Sequence, residues 1–242
     1  MIDLHCHILP QVDDGSQSLK DSLDMARLAA GSGVTAVAAT PHCVDGGSAV
    51  IRERVLLLRE ALEEARIPIR LYMGMEIFGT SYTAELLSEG SLLTLNGSRY
   101  PLIEFRFDGT GEQETAILRD VLAAGFLPVV AHPERYAYIQ EDPELANLWK
   151  EMGCLFQINR GSLFGRFGSG AQHMALELVG RGFATVVASD GHSPRMRTPW
   201  MKDVSAFLRQ EISGDAEEYL LRKNPKAILR DQVLDPVIPD WF

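Results

Sequence analysis

The chain alternates short apolar segments with amphipathic helical segments along nearly all of its 242 residues. Strands are predicted where short apolar runs lie between turn signals, and helices where apolar residues recur every three to four positions. Regular strand–helix alternation favours a parallel sheet, because parallel neighbours need a crossover connection. The predicted strands are Ile2–Leu4, Ala36–Ala39, Leu71–Gly74, Leu102–Phe105, Pro128–Ala131, Phe156–Ile158 and Thr185–Ala188.

The predicted helices fill the intervals between these strands and close the chain. The first opens on a capping-type Ser-x-x-Asp sequence at Ser18 and ends on Gly33. No linker-like or low-complexity stretch interrupts the alternation, so residues 1–242 are expected to form a single domain. The predicted helices are Ser18–Gly33, Ala49–Ala65, Thr80–Glu89, Glu112–Ala124, Pro143–Met152, Ala171–Gly180, Trp200–Ile212 and Ala216–Leu221.

A parallel sheet of this kind can close into a barrel or stay open, and the polar residues distinguish the two. In a barrel the chemistry collects at the carboxyl ends of all strands, whereas in an open sheet it collects at one switch point. Here a histidine, a carboxylate or an asparagine stands at the end of every predicted strand. The pattern therefore favours a barrel.

Two histidines, His5 and His7, stand at the end of the first predicted strand. Alternate side chains of a strand share one face, so both imidazoles are expected to converge while Cys6 points away. Two converging imidazoles form half of a transition-metal site. Taken alone the pair is weak evidence, because such a spacing is common in ordinary strands.

The other strand ends add further nitrogen and oxygen donors. Five of the six histidines lie at strand ends, and only His173 lies elsewhere, on a predicted helix. A single histidine or glutamate there is usually just solvated, but a full ring of them would be unpaired or repulsive without cations. Mixed imidazole and carboxylate donors fit Mn, Fe or Zn and exclude a soft thiolate site. The candidate ligands are His5, His7, Asp14, His42, Glu76, Glu104, His132, Asp190 and His192.

Two arginines stand close to these donors in the sequence. Arg135 follows His132 by three residues, and Arg197 lies in the loop after His192. Guanidinium groups suit phosphate oxygens, so both are candidate phosphoryl-binding residues, with Arg195 as a competitor for Arg197. The formal net charge of −10 argues against nucleic-acid binding and means that an anionic substrate needs such local positive charge.

These motifs together resemble the PHP (polymerase and histidinol phosphatase) superfamily. They are most similar to its bacterial manganese-dependent protein tyrosine phosphatases of capsule and exopolysaccharide synthesis. The resemblance covers nearly the whole chain and implies a distorted (β/α)7 TIM-like barrel with three divalent metal ions. Its anchors are Asp3–His7, Val12–Gly15, Thr40–His42, Gly74–Glu76, Tyr100–Phe105, Ala131–Tyr136, Gly153–Asn159, Ala188–His192 and Asn224–Ile228.

The resemblance also implies roles for individual residues. His5, His7, Glu76 and Asp190 would hold one ion; Glu76, Glu104 and His132 a second; and Asp14, His42 and His192 a third. A metal-bridging hydroxide would attack phosphorus directly, with Arg135 and Arg197 binding the phosphoryl group. The implied substrate is the phosphotyrosine tail of a bacterial tyrosine kinase.

Other functions compete with this interpretation. Cys154 and Arg160 have the Cys-x5-Arg spacing of cysteine-dependent phosphatases, but the residues between them form an apolar strand instead of a glycine-rich phosphate loop. Histidinol phosphate or another small phosphomonoester is the main alternative substrate. A noncatalytic PHP scaffold and a PHP nuclease are further alternatives, disfavoured by the complete ligand set and by the acidic charge respectively.

The composition and the cysteine content indicate the cellular compartment of the protein. Three scattered cysteines indicate reduced thiols, and neither a signal peptide nor an apolar run of membrane-spanning length is seen. A cytoplasmic protein without membrane insertion is expected.

Overall fold

The structure is a computed structural model, and it describes residues 1–42 and 47–234. Cys43 and the aromatic C-terminal segment, residues 235–242, lie outside the described residues. Every strand pairing among the described residues is parallel, as the strand–helix alternation predicts.

In the part of the chain that the structure describes, eight strands form two sheets, where seven strands are predicted. The first sheet has the order β1-β2-β3 and the second the order β4-β5-β6-β7-β8. Isolated parallel bridges join Cys6 to Gly191 and His42 to Glu76, at strand ends of the two sheets. The strands are β1 (Ile2–Cys6), β2 (Ala36–Ala39), β3 (Arg70–Met73), β4 (Glu76–Phe78), β5 (Leu102–Glu104), β6 (Val129–Ala131), β7 (Leu155–Asn159) and β8 (Ala184–Ala188).

The additional strand is β4, which begins just beyond the third predicted strand, Leu71–Gly74, and was not predicted. β3 pairs with β2, whereas β4, separated from β3 by two residues, pairs with β5 in the other sheet. A Cβ atom added at Gly74 would lie 3.0 Å from Thr40 Cγ2 and 3.2 Å from Leu95 Cδ2. The chain therefore crosses from one sheet to the next where a side chain would crowd its neighbours.

The long helices match the prediction, and three short ones, Thr83–Ser88, Lys202–Phe207 and Gly214–Glu218, lie in or overlap predicted helices. The short helices Ala137–Glu141, Arg160–Leu163 and Asn224–Leu229 have no predicted counterpart. Helix α1 begins after Ser18, whose hydroxyl oxygen accepts the Asp21 N–H at 3.1 Å. The three helices without a predicted counterpart, of four to six residues, carry too little of the 3.6-residue period to be detected. The helices are α1 (Leu19–Gly31), α2 (Gly47–Glu64), α3 (Thr83–Ser88), α4 (Glu112–Ala123), α5 (Ala137–Glu141), α6 (Glu144–Glu151), α7 (Arg160–Leu163), α8 (Ser169–Gly180), α9 (Lys202–Phe207), α10 (Gly214–Glu218) and α11 (Asn224–Leu229), with π-helical turns at Leu208–Ile212 and Tyr219–Lys223.

The apolar core has two parts. The larger cluster packs helices onto strands of both sheets. The smaller cluster also combines both sheets, and Ile228 and Leu229 of α11 pack against it; its strand residues are Leu4, Ala38, Leu102, Val129, Ala131 and Val186. Among the described residues, no helix has the length and apolar character needed to cross a bilayer.

Candidate metal centre

All nine predicted ligands lie in one cluster where strands end. Glu104 is the last residue of β5, His132 directly follows β6, and Asp190 and His192 come after β8. Glu76 begins β4 and so lies just beyond the end of β3. Within each of four subgroups the donor atoms lie within 4.8 Å of one another; the subgroups are His7/Asp14/His42/His192, His5/His7/Asp190, His5/Glu76/His132 and His42/Glu76/Glu104.

His5 in β1 and His7 just beyond its end face one carboxylate. Their Nε2 atoms lie 3.1 Å apart, at 3.2 Å (His5) and 3.1 Å (His7) from Glu76 Oε2. Both Nε2 atoms also lie 3.6 Å from Asp190 Oδ1. The expected convergence of the two imidazoles is thus confirmed, and Cys6 between them is fully buried.

The opposite ring nitrogens of these histidines are held by other side chains. His5 Nδ1 donates to Gln157 Oε1 at 2.8 Å, and the same oxygen accepts the backbone N–H of His132. His7 Nδ1 donates to Asp13 Oδ2 at 2.6 Å, and that oxygen also accepts the backbone N–H of His42. Protons on Nδ1 leave the Nε2 lone pairs directed into the cluster, as metal-binding histidines require.

Glu76 lies at the centre of the cluster and is 1% exposed. Its Oε1 is 3.0 Å from His132 Nε2, and its Oε2 is 3.2 Å from His42 Nδ1. Glu104 lies closer to His42 Nδ1, at 2.9 Å, than to His132 Nε2, at 4.0 Å. The geometry therefore places Glu104 with His42 as well as with His132, the partner that the resemblance implies.

The outer side of the cluster is more open to solvent. Asp14 Oδ1 lies 3.5 Å from His42 Nε2 and 3.6 Å from His192 Nε2, and the Asp14 side chain is 65% exposed. The ring centroid of His192 lies 3.8 Å from that of His7, and the two rings are tilted by 31°. These contacts bring together the three residues of the third expected set and add His7 to them.

Three residues at the site have a strained backbone. His132, Asp190 and Arg197 have φ angles of +34°, +51° and +49°, in the left-handed region that residues with a Cβ rarely adopt. A Cβ added at Gly15 would lie 2.3 Å from the carbonyl oxygen of His7, so only glycine fits that turn. Such conformations persist where the surroundings enforce them, and they cluster at functional sites.

The electrostatics reflect packed charges of both signs. Burial alone would lower the pKa of His7, but hydrogen bonds to Asp13 and Glu76 outweigh it and raise that pKa to about 10. Burial likewise opposes ionisation of Asp13, yet the hydrogen bond from His7 lowers its pKa to about 2. Burial and the charge of His7 lower the pKa of His192 to about 4. For Asp190, the positive charges of His5 and Arg197 overcome burial and hold its pKa well below the usual range.

Two arginines and an asparagine reach the same carboxylate oxygen. Asp190 Oδ2 accepts from Arg135 Nη1 at 3.4 Å, from Arg197 Nη2 and from Asn159 Nδ2. Arg195, the competing candidate, is exposed. The structure thus brings Arg197 and Arg135 to the cluster.

The cluster fits divalent cations. Asp190 Oδ1 and His192 Nε2 are buried but make no hydrogen bond among the described residues. A buried carboxylate oxygen or imidazole nitrogen without a hydrogen bond is costly, and a cation would satisfy both. The donors are imidazole nitrogens and carboxylate oxygens, which suits Mn, Fe or Zn.

Sequence reasoning missed the residues that orient the ligands. Asp13 and Gln157 lie within noted motifs, but nothing in the sequence pairs them with His7 and His5. Gln157 and Asn159 alternate on β7, and that spacing on one face could have suggested a shared role. His173, expected to be away from the site, is 84% exposed on α8.

Comparison with known proteins agrees with this geometry. The family described as "Capsular polysaccharide synthesis, CpsB/CapC" matches residues 1–230. Tyrosine-protein phosphatase YwqE of Bacillus subtilis (strain 168) is 37% identical over 238 residues, which cover 97% of this chain and 93% of YwqE. Tyrosine-protein phosphatase CpsB of Streptococcus pneumoniae is 31% identical over 243 residues, covering 97% of this chain and all (100%) of CpsB.

A solved structure extends the agreement to the fold. It comes from work on YwqE of Bacillus subtilis and CpsB of Streptococcus pneumoniae, described there as "unique metal-dependent tyrosine phosphatases". It superposes with a TM-score of 0.91 at 36% identity, and the match covers 97% of this chain and 96% of that one. The resemblance predicted from the motifs is confirmed: the chain belongs to the CpsB/CapC family of capsular polysaccharide synthesis.

Proposed function

We propose that this chain is a metal-dependent tyrosine-protein phosphatase that acts in capsular polysaccharide synthesis. The observation that carries the proposal is the cluster of nine imidazole and carboxylate ligands with two arginines that donate to one of its members, Asp190. Family membership and the activity of the relatives YwqE and CpsB point to the same chemistry.

The cluster would hold three divalent ions, with manganese as the preferred metal. His5, His7, Glu76 and Asp190 would bind one ion, and Glu76, Glu104 and His132 a second. Asp14, His42 and His192 would bind the third, with His7 within reach of it. When bound, such ions make water a stronger nucleophile and neutralise charge on phosphoryl oxygens.

Arg135 and Arg197 would bind the phosphoryl group. Their side chains are 18% and 32% exposed, so each reaches the cluster while part of it faces solvent. Asp190 engages one nitrogen of each guanidinium, which leaves other N–H groups to donate to phosphoryl oxygens. Because the chain carries a net charge of −10, these two cations supply local attraction for an anionic ester.

The substrate proposed here is the phosphotyrosine tail of a bacterial tyrosine kinase. The exposed Asp14 marks the open side of the cluster, through which a flexible segment could enter. Phosphotyrosine should react faster than phosphoserine, because its longer side chain reaches the buried ligands and its phenolate is the better leaving group.

We further propose that the strands close into a distorted barrel and that the chain forms one phosphoesterase domain. The smaller apolar cluster supports a closed arrangement, because residues from β1, β2, β5, β6 and β8 share one interior. The few, scattered cysteines favour action in the cytoplasm.

A comparison of substrates tests the proposal. Values of kcat/KM should be measured for a phosphotyrosyl peptide, the matching phosphoseryl peptide and histidinol phosphate, all with added Mn²⁺. We expect the phosphotyrosyl peptide to be preferred, and chelation followed by Mn²⁺ addition to abolish and restore turnover. A preference for histidinol phosphate would reassign the substrate, and full activity of a demonstrably metal-free protein would reject the metal-dependent mechanism.

A further inference from the structure

An exposed aromatic residue, Phe107, borders the candidate metal centre. It lies in the loop after β5 and is 43% exposed, whereas Phe105 two residues earlier is 3% exposed in the core. The loop is anchored, because the Ala137 backbone N–H donates to the Phe107 carbonyl at 2.9 Å. The ring is therefore held at the surface by a fixed backbone.

The ring of Phe107 contacts both kinds of group that the proposed reaction uses. The Arg135 guanidinium carbon lies 4.6 Å from the ring centroid, a cation–π distance. The His132 ring lies 5.9 Å from it, centroid to centroid. A phosphoryl group bound by Arg135 would thus carry its ester substituent next to an exposed aromatic surface.

We propose that Phe107 is a specificity-determining residue that packs against the aromatic ring of the phosphorylated tyrosine. This inference rests on the proposed phosphatase function and extends it to the choice of substrate. Aromatic rings attract each other at centroid distances of about 4.5–7 Å. An aryl ester joins its ring directly to the phosphoryl oxygen, so its ring is the part of the substrate closest to Phe107, whereas an alkyl ester offers no such surface.

A second phenylalanine provides the matched comparison. The ring centroid of Phe167 lies 4.1 Å from the Arg135 guanidinium carbon and 5.8 Å from that of Arg197, so it touches both arginines. Phe167 is only partly exposed and is seated over Gly161, where an added Cβ would lie 2.6 Å from the ring. Phe167 therefore acts as a positioning residue for the arginines, while Phe107 also offers a free surface to the substrate.

The test compares an aryl with an alkyl phosphonate as inhibitors of the metal-loaded protein. Inhibition constants for phenylphosphonate and methylphosphonate, and kcat/KM for a phosphotyrosyl peptide, should be measured for Phe107→Ala, Phe107→Tyr and Phe167→Ala. We expect Phe107→Ala to weaken phenylphosphonate binding and peptide turnover by about 2- to 13-fold with methylphosphonate unchanged. Phe107→Tyr should keep the aryl preference, and Phe167→Ala should weaken both inhibitors alike.

Further variants separate recognition from folding. Phe107→Leu keeps an apolar side chain in the same place and should lose the aryl preference as Phe107→Ala does, with unchanged metal content and melting temperature. Phe164→Ala removes another ring that is 40% exposed, packed on Phe207 at 5.9 Å, and should change neither inhibitor.

Two results would overturn the inference. Equal weakening of both phosphonates in Phe107→Ala would show that the ring only holds Arg135, and no weakening of either would show that it does not meet the substrate. A wild-type protein that fails to hydrolyse the phosphotyrosyl peptide would instead overturn the proposed function, which separates the two failures.

Discussion

Two pairs of residues in this chain have spacings that occur in phosphatases. One pair lies at the end of β1, and the other has one residue at each end of β7. His5 and His7 have the spacing of a metal site, and Cys154 and Arg160 have the spacing of a cysteine-dependent phosphate loop. In the first pair the Nε2 atoms lie 3.1 Å apart and face shared carboxylates. In the second pair the whole of β7 lies between the two residues, so they are about 20 Å apart along the strand.

The surroundings of the second pair are those of structural residues. Cys154 is 1% exposed, and burial raises the pKa of its thiol to about 12. Arg160 pairs with Asp203, and its guanidinium lies over the Phe164 ring. A spacing therefore predicts chemistry only together with the element that carries it. Alternation on a strand brings residues i and i+2 together, whereas the five residues of β7 keep Cys154 and Arg160 apart.

Removal of a central ligand should give the largest effect, and a small effect would contradict the metal site at the end of β1. In His5→Ala or Asp190→Ala we expect turnover of a phosphotyrosyl peptide to fall by several orders of magnitude. His5 lies 3.2 Å from Glu76, and Asp190 also holds both arginines. The measurement is kcat/KM together with bound metal per chain. His173→Ala, on the exposed face of α8, is the control that should behave as wild type.

Removal of either proposed phosphoryl-binding arginine should give the next largest effect. Arg135→Ala or Arg197→Ala removes a charge-assisted contact worth about 1.5–3 kcal/mol, which corresponds to about 10- to 150-fold in kcat/KM. Arg160→Ala is the matched control, since its partner Asp203 lies outside the cluster; it should affect stability more than turnover. If Arg197→Ala were silent and Arg195→Ala were not, the assignment of that loop would be wrong.

The clustering of the donors could be predicted because most of them stand where an apolar run ends, and such positions lie at the common edge of the strands; Asp14, in the loop after β1, is the exception. The additional strand β4 could not be predicted, since the crossing from one sheet to the other at Gly74 depends on the approach of Thr40 from β2's end and of Leu95. The contacts that orient His5 and His7 were hidden for the same reason. Gln157 is 152 residues from His5 in the sequence, and no local pattern joins them.

The Asp13–His7 hydrogen bond allows the metal site to be tested without removal of a ligand. Asp13→Asn removes the carboxylate that orients His7, and loss of such a partner typically lowers metal affinity about 10- to 100-fold. Titration of the metal-free variant with Mn²⁺, followed by calorimetry, measures this. Asp24→Asn, which removes an exposed carboxylate paired with Lys20, should leave the affinity unchanged.

The pKa shifts of His7 and Asp13 also predict how the stability of the metal-free protein changes with pH. The pKa of His7 rises from 6.5 to about 10 on folding, so its stabilisation is complete below pH 6.5 and is lost as pH rises through 10. The pKa of Asp13 falls from 3.8 to about 2, so its stabilisation is present above pH 3.8 and is lost as pH falls through 2. Urea unfolding should therefore show the largest difference between wild type and Asp13→Asn near pH 5–6, and a smaller one above pH 10.

The smallest effect on turnover is expected for substitution of Cys154. This experiment decides directly between a metal site at His5 and His7 and a cysteine-dependent site at Cys154 and Arg160. Cys154→Ala should change kcat/KM by less than about twofold, the scale of a substitution without a lost contact to the reacting groups. Cys154→Ser buries a hydroxyl and should lower stability by about 1–3 kcal/mol without affecting turnover per folded molecule.

Because the thiol pKa is about 12, iodoacetamide at pH 8 should modify Cys154 in the native protein far more slowly than after unfolding. If a Cys154→Ala protein folds and binds metal yet is inactive, the thiol is the nucleophile. The Cys154/Arg160 pair, and not the His5/His7 pair, would then mark the active site.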